Sequence, residues 1–421
     1  MPELIPELIP ELKINAERIW NSLMEMGQIG ETAAGGSCRL ALTELDKQGR
    51  DLFVRWCREA GCEIHIDRIG NIYARRPGTD PDALPIATGS HLDTQPTGGK
   101  FDGVYGCLSG LEVIRSLNDQ GITTRRPIEV VIWTNEEGSR FAPAMVASGV
   151  YAGKFTLEYA LQQRDHQGIS LDEALKSIGY QGDIAVGARR FQRFIELHIE
   201  QGPVLEREGE EIGVVEGVLG MRWYDVRVEG VSAHAGPTPM SYRKDALAAS
   251  ALMISELIEL ADRRETESGR CTIGELDVIK ASRNVIPGAV RFSLDLRNAT
   301  EQGLQAMEEE AAALIDRIAQ TRGVKVTLEQ IWNSPPVFFD PDTVNRIEQT
   351  TQASGLSYRR MVSGAGHDAV NIASTTPTAM IFIPSVGGIS HNETEYSTPE
   401  QIAQGAQILL NVMHQAAGQN D

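Results

Sequence analysis

The sequence predicts an α/β protein: a mixed, mostly parallel-sheet domain interrupted by an inserted ferredoxin-like α+β domain. Three observations point there. The 421 residues exceed what one core of ordinary size organises. The first half alternates short apolar runs with helix-period segments, the rhythm of a parallel sheet covered on both faces. After about residue 213 the order becomes β-α-β-β-α-β, the split βαβ pattern, until Ser334-Pro335-Pro336 returns the chain to α/β character. The expected domains are therefore 1–213 with 331–421, and 214–330.

The elements follow in order. The Pro-Glu-Leu-Ile repetition at 2–12 reads as a frayed or lightly helical lead-in, and its acidic start lacks the basic and apolar regions of a secretory signal. Gln48–Glu59 places Leu52, Phe53, Trp56 and Cys57 at helical spacing. Cys62–Asp67 alternates like a half-buried strand, turns at 68–71 and returns through Ile72–Ala74. Leu84–Ser90 is a short buried strand feeding His91, Tyr105–Leu117 a helix, Ile128–Thr134 a strand, 139–149 a helix, and 194–201 another apolar strand. In the inserted part Trp223–Glu229, 271–279, 289–296 and Val324–Ile331 read as strands, with helices at Asp245–Ala261 and Glu301–Thr321.

Composition narrows the function. A formal net charge of −19 argues against nucleic-acid or anionic-membrane partners, and no run approaches the roughly 18 apolar residues of a membrane span. The five cysteines are dispersed, with no CxxC pair. They read as reduced thiols of a cytoplasmic protein.

The chemistry is carried by turns after apolar runs. Asn135-Glu136-Glu137-Gly138 sets two carboxylates side by side at a strand's carboxyl end, where open α/β sheets place ligands. Like charges so close call for a compensating cation. Capping of the 139–149 helix would occupy one acid and leave the other unexplained. His91 lies in Gly89-Ser90-His91-Leu92-Asp93, where Asp93 can accept the second imidazole N–H. Asp102 precedes Gly103, either as an ordinary turn or N-cap residue or as a carboxylate bridging two ions. His198 lies on the 194–201 strand, facing inward or outward. His391 lies in Gly387-Gly388-Ile389-Ser390-His391. Three imidazoles and two carboxylates suit two divalent ions, Zn²⁺ first, with Mn²⁺, Co²⁺ or Ni²⁺ also fitting. The spare glutamate would then take a proton from the attacking water. His65, His166 and His414 are read as non-functional.

These blocks, in this order from about residue 15 to 415, resemble the metal-dependent amidohydrolases of the M20 peptidase superfamily. The resemblance is closest to the hydantoinase/carbamoylase branch: N-carbamoyl-L-amino-acid hydrolases, β-ureidopropionases and allantoate amidohydrolases. Leu197-His198-Ile199-Glu200-Gln201 carries a histidine where the peptidases have an acidic ligand, which implies a ureido or amidino substrate. The resemblance implies that His91 and His198 hold one metal, Glu137 and His391 the other, that Asp102 bridges them, and that Glu136 is the general base, with Asp93 supporting. It also implies that Gln201 and His367 (in Gly364-Ala365-Gly366-His367-Asp368) meet the ureido group. His234 (in Ser232-Ala233-His234) becomes an oxyanion donor, and Asn284 and Arg297 clamp a substrate carboxylate. The inserted domain is implied to serve as lid and dimerisation domain, with His234 and Asn284 reaching the partner's site in a homodimer. A small anionic substrate is expected, with a lean to N-carbamoyl-β-alanine or a related N-carbamoyl amino acid. Allantoate is the alternative, and an M20 aminopeptidase or deacylase, or a non-catalytic metal-binding relative, stands further off.

Overall fold

The computed structural model describes residues 12–418, so the Pro-Glu-Leu-Ile repetition lies outside the described residues except for Leu12. The chain divides into two compact units, Met1–Glu216 with Phe339–Asp421, and Gly217–Phe338.

The first unit is built on strands β1 (Glu63–Ile66), β2 (Ile72–Arg76), β3 (Ile86–His91), β4 (Ile128–Trp133), β5 (Arg193–Ile199) and β6 (Ile212–Val218). β3 and β4 are buried along their whole length, as expected of strands covered on both faces. The helix Glu44–Glu59 starts at Thr43, whose side chain accepts from the Asp46 N–H, and buries Leu52, Phe53, Trp56 and Cys57. The helix Val104–Asp119 is buried nearly all round. The helix expected at 139–149 forms later, at Val146–Tyr151. Glu136 and Glu137 therefore precede a loop and cap no helix, and the Glu136 carbonyl instead accepts the Met145 N–H at 2.7 Å.

The second unit contains β7 (Gly220–Glu229), β8 (Ala233–His234), β9 (Arg270–Thr272), β10 (Leu276–Val278), β11 (Val285–Ile286), β12 (Ala289–Asn298), β13 (Lys325–Ser334) and β14 (Val337–Phe338). Its main sheet runs β10-β12-β7-β13, with β9 also on β12, and every pairing in it is antiparallel. Alternate residues Val226, Val228, Phe292, Leu294 and Leu296 pack with Met253, Leu257, Leu304 and Ile315 of the helices Ala246–Asp262 and Glu301–Arg322. The expected 271–279 strand is two pieces, because Ser293 Oγ takes the Gly274 and Glu275 N–H groups at 3.1 and 2.9 Å and interrupts the ladder. The unit also runs past the expected end at 330. β13 bulges between Gln330 and Trp332 and continues to Ser334, and the bulge breaks the alternation that marks a strand in sequence.

Back in the first unit, β15 (Tyr358–Ser363) and β16 (Thr378–Ile383) complete the sheet, in the order β1-β2-β4-β3-β5-β16-β6 with β15 also on β6. β4, β3, β5 and β16 are mutually parallel, and antiparallel pairs flank this centre. The parallel arrangement is thus confined to the four strands whose carboxyl ends share one edge.

A buried polar frame backs that edge. Asp67, in the β1–β2 turn, accepts the N–H groups of Ile69 (3.1 Å) and Asn71 (3.0 Å), the Asn71 amide (2.9 Å) and the Tyr73 hydroxyl (2.9 Å). Asn71 Oδ1 in turn accepts the Thr134 N–H at 3.0 Å, one residue before the Asn135-Glu136-Glu137 turn. Arg50, paired with Asp46 at 2.9 Å, donates to the Gly70 carbonyl at 2.8 Å. Burial raises the Asp67 carboxyl to about 6 against these hydrogen bonds. A raised native pKa means that the folded chain binds the proton more tightly, so this contribution to stability is full below about pH 4 and lost as pH rises through about 6. The unfolding free energy of wild type minus that of Asp67→Asn should therefore grow as pH falls from 7 to 5 in denaturant titrations; a difference that shrinks over that range contradicts the assignment.

Candidate metal centre

The parallel centre brings separate pieces of sequence to one edge. His91 closes β3 and is level with Trp133 of β4, two residues before Asn135. His198, near the end of β5, is level with Phe382 of β16, and the turn after β16 carries His391. Asp102 sits just ahead of the Val104–Asp119 helix. Gly103, at φ 67°, allows the close approach there, since a Cβ on it would lie 2.3 Å from the His91 ring.

Asp102 joins the pieces. Its Oδ1 lies 3.1 Å from His198 Nε2 and 3.6 Å from His91 Nε2, while its Oδ2 lies 3.3 Å from His391 Nε2. Glu137 Oε2 is 3.4 Å from His391 Nε2, and Glu136 Oε2 is 3.4 Å from His91 Nε2. Within each of the groups His91–Asp102–His198 and Asp102–Glu137–His391, one atom per residue lies within 4.8 Å of the others, a spacing that can hold an ion. The face of β5 left open by sequence is settled: His198 is 1 % exposed.

The donor chemistry fits divalent metals. His91 Nδ1 is 2.8 Å from the Asp93 carbonyl and His198 Nδ1 is 2.9 Å from the Ile199 carbonyl. A carbonyl only accepts, so each Nδ1 carries a proton and each Nε2 faces the cluster, that of His198 also accepting the Gly103 N–H at 3.2 Å. Burial opposes charge on Asp102, but the facing imidazoles of His198, His391 and His91 outweigh it and hold that carboxyl well below the usual range. Burial lifts Glu136 well above it, with the neighbouring carboxylates of Asp368, Glu137 and Asp102 adding to the rise. Burial and Asp102 push Glu137 up to about 7. This many buried carboxylates held together are stabilised by cations.

Asp93 has two contacts at the centre. It orients His91 through its backbone carbonyl, while its carboxylate accepts the N–H groups of Glu136 (3.3 Å) and Glu137 (3.2 Å). The side chain shapes the glutamate turn rather than the imidazole.

Gln201, at φ 58°, donates its amide to Asp102 Oδ2 at 3.0 Å and Ser390 Oγ at 3.1 Å. His367 is buried, its ring 4.6 Å from that of His198 and its Nε2 3.1 Å from Ser363 Oγ. Burial and then His198 keep it well below the ordinary imidazole range. His234, Asn284 and Arg297 belong to the second unit. There His234 pairs in register with Val285, and the Ala235 N–H donates to the Asn284 carbonyl at 2.9 Å, so exposed His234 on β8 and exposed Asn284 in the turn before β11 lie close together. Arg297 is bound by Asp295, its Nη2 2.7 Å from Oδ2. His65 and His414 lie in β1 and the final helix, and His166 in an exposed turn; none joins a metal-binding group among the described residues.

Sequence reasoning missed four residues around the centre. Gln95 donates to Glu137 Oε2 at 2.7 Å. Glu196 accepts from Ser90 Oγ at 2.7 Å and the Ala369 N–H at 2.9 Å, and forms a further group with His198 and His367. Its signal was present, since Glu196 and His198 two apart on one strand share a face. Ser390 and Glu395 contact the Asp102 loop from nearly 300 residues away in the chain, and no local pattern marks that.

A parallel-centred α/β sheet with carboxylates and imidazoles gathered at one strand edge, interrupted by a ferredoxin-like unit, is the architecture of metal-dependent amidohydrolases and peptidases. The chain belongs to peptidase family M20/M25/M40, whose model matches residues 87–415. It is 46% identical over 405 residues to an N-carbamoyl-L-amino-acid amidohydrolase of Rhizobium meliloti, covering 96% of this chain and 97% of that one. It is 36% identical over 394 residues to an allantoate amidohydrolase of Bacillus subtilis, covering 93% and 95%. Among solved structures, an amidase of the hydantoinase/carbamoylase family from Burkholderia multivorans superposes with a TM-score of 0.94 at 52% identity, covering 98% of this chain and 100% of that one.

Because Asp93 holds both amides of the glutamate turn, Asp93→Ala should lower kcat about 10- to 100-fold while KM changes little. Steady-state kinetics alongside circular dichroism check this, and an unchanged kcat contradicts it.

Proposed function

We propose that the protein hydrolyses the ureido C–N bond of an N-carbamoyl-L-amino acid, giving the amino acid, CO₂ and ammonia. The observation that carries the reading is the division of Asp102, one oxygen toward His91 and His198 and the other toward His391, with Glu136 left over beside His91. His91, His198 and Asp102 would hold one divalent ion, and Asp102, Glu137 and His391 the second. Zinc suits this mixed N/O set, with manganese, cobalt or nickel as further candidates. The bound ions supply Lewis acidity at the ureido carbonyl and make a water acidic enough to attack at neutral pH.

The chain's own residues do the rest. Glu136 accepts the proton of the attacking water and passes it to the departing amino-acid nitrogen. Burial, which lifts its carboxyl, suits both halves of that transfer. Gln201 and His367 orient the ureido group, and His234 donates to the developing oxyanion. Asn284 and Arg297 receive the substrate carboxylate, with Arg297 exchanging or sharing its Asp295 partner. The substrate's α-carboxylate suits a centre that keeps roughly two positive charges when two divalent ions meet two carboxylate ligands.

The Rhizobium relative weighs toward L-α-amino acid derivatives over N-carbamoyl-β-alanine. The Bacillus relative favours allantoate as the second reading. We place the enzyme in the cytoplasm, in keeping with five free cysteines, and no helix among the described residues is long and apolar enough to cross a membrane. A homodimer through the second unit is proposed from exposed Trp223 and Trp332, paired across adjacent strands with ring centroids 6.3 Å apart.

Three outcomes are expected. A kcat/KM panel on metal-reconstituted enzyme should rank N-carbamoyl-L-amino acids above N-carbamoyl-β-alanine, allantoate and a dipeptide; a dipeptide preference overturns the reading. Glu136→Gln should lose about 10²- to 10⁴-fold in kcat with metal content unchanged. Mixing it with His234→Ala under subunit exchange should restore part of the activity, and no recovery in exchanged mixtures rules out His234 acting across a dimer.

A further inference from the structure

We propose that Glu395 is a positioning residue which, through Ser390, holds His391 in the Asp102–Glu137–His391 half of the centre, while His91 and His198 are held by the strands. The inference rests on the two-ion reading above. Glu395 is 5 % exposed and belongs to neither ligand group. Its Oε1 accepts the N–H groups of Phe101 (3.1 Å) and Asp102 (3.0 Å), and its Oε2 accepts the Ser390 hydroxyl at 2.7 Å. One carboxylate thus ties the loop that presents Asp102 to the residue just before His391. Gly99 makes room for it, since a Cβ there would stand 2.1 Å from Oε1.

The two halves of the centre differ in what else holds them. His91 and His198 are 2 % and 1 % exposed and lie in strands of the parallel ladder, each fixed by a backbone carbonyl at Nδ1. The His391 side chain is 52 % exposed, and its backbone sits at φ 51°, a conformation unfavourable for a residue with a side chain. Packing and ladder therefore contribute little at His391. The restraint comes from Ser390, whose hydroxyl donates to Glu395 and accepts the Gln201 amide at 3.1 Å, and from the turn closed by the Glu395 N–H on the Asn392 carbonyl at 3.0 Å. Removing the Glu395–Ser390 link frees His391 while His91 and His198 stay in place.

The test is zinc binding to the full-length protein, measured by competition with a chromophoric chelator after metal removal. Wild type should bind two ions per subunit. Ser390→Ala, which keeps the Glu395 bonds to the Phe101 and Asp102 amides, should weaken the second ion about 10- to 100-fold and leave the first within about threefold, whereas Glu395→Ala, which also frees the Asp102 loop shared by both ions, should weaken the second at least as much and the first as well. Glu395→Gln, able to accept from the amides and donate to Ser390, should recover most of the second site. Should Glu395→Ala not fold, Ser390→Ala decides alone. Two ions bound by Ser390→Ala with wild-type affinity, or equal weakening of both, overturns the inference. Fewer than two ions on wild type overturns the metal reading and this inference together.

Discussion

Charge buried at one sheet edge is the constraint to which the rest of the structure answers. Asp102, Glu136 and Glu137 are gathered there with three imidazoles. Taking ionised groups out of water costs several kcal/mol each unless they are paired and hydrogen-bonded. Asp102 meets that requirement on both oxygens, facing His198 and His91 with one and His391 with the other while taking a hydrogen bond from Gln201. The chain's overall charge of −19 has little bearing here, because the local set of donors and cations decides.

Two kinds of support converge on that edge. Behind it, β3, β4, β5 and β16 fix the level at which His91 and His198 emerge, and the Asp67–Asn71–Thr134 chain of hydrogen bonds fixes where β4 ends. In front of it, loops are joined side chain to backbone, as Glu395 joins the Asp102 loop to Ser390. Ladders position residues through many weak bonds at once, whereas a loop hangs on a few strong ones. The same centre therefore holds its side chains with unequal security.

Local patterns made much of this legible. Apolar runs ending in glycine-flanked turns marked His91, Asp102 and His391, and the shift from alternating strands and helices to β-α-β-β-α-β marked the inserted unit. What stayed hidden depended on partners distant in the chain. Asp93 accepts the His91 imidazole as expected, but through its carbonyl, and the hold of its carboxylate on the glutamate turn 43 residues away is a contact no local pattern marks. The helix expected after Glu137 is displaced because the apolar pattern at 139–149 also fits a loop ending in the Val146–Tyr151 turn of helix. β13 outran its alternation at a bulge. Glu395 and Gln95 carry no motif, and only folding brings them to Asp102 and Glu137.

Two adjacent glutamates can serve different purposes because of how their turn is held. Asn135 adopts φ 56°, with its side-chain amide donating to the Phe141 carbonyl at 2.8 Å, and this bends the chain sharply as it leaves β4. The Asp93 carboxylate then takes the amides of both glutamates and fixes the peptides that follow. From this base Glu136 extends to His91, while Glu137 extends to His391 and is held by Gln95. Glu137 has a hydrogen-bond donor and an imidazole on one oxygen, which fix where that oxygen points. Glu136 keeps a carboxyl raised by burial and free of any such donor among the hydrogen bonds described, which leaves it able to gain and give up a proton. The difference in surroundings between them is thus a property of the turn as much as of the two carboxyl groups.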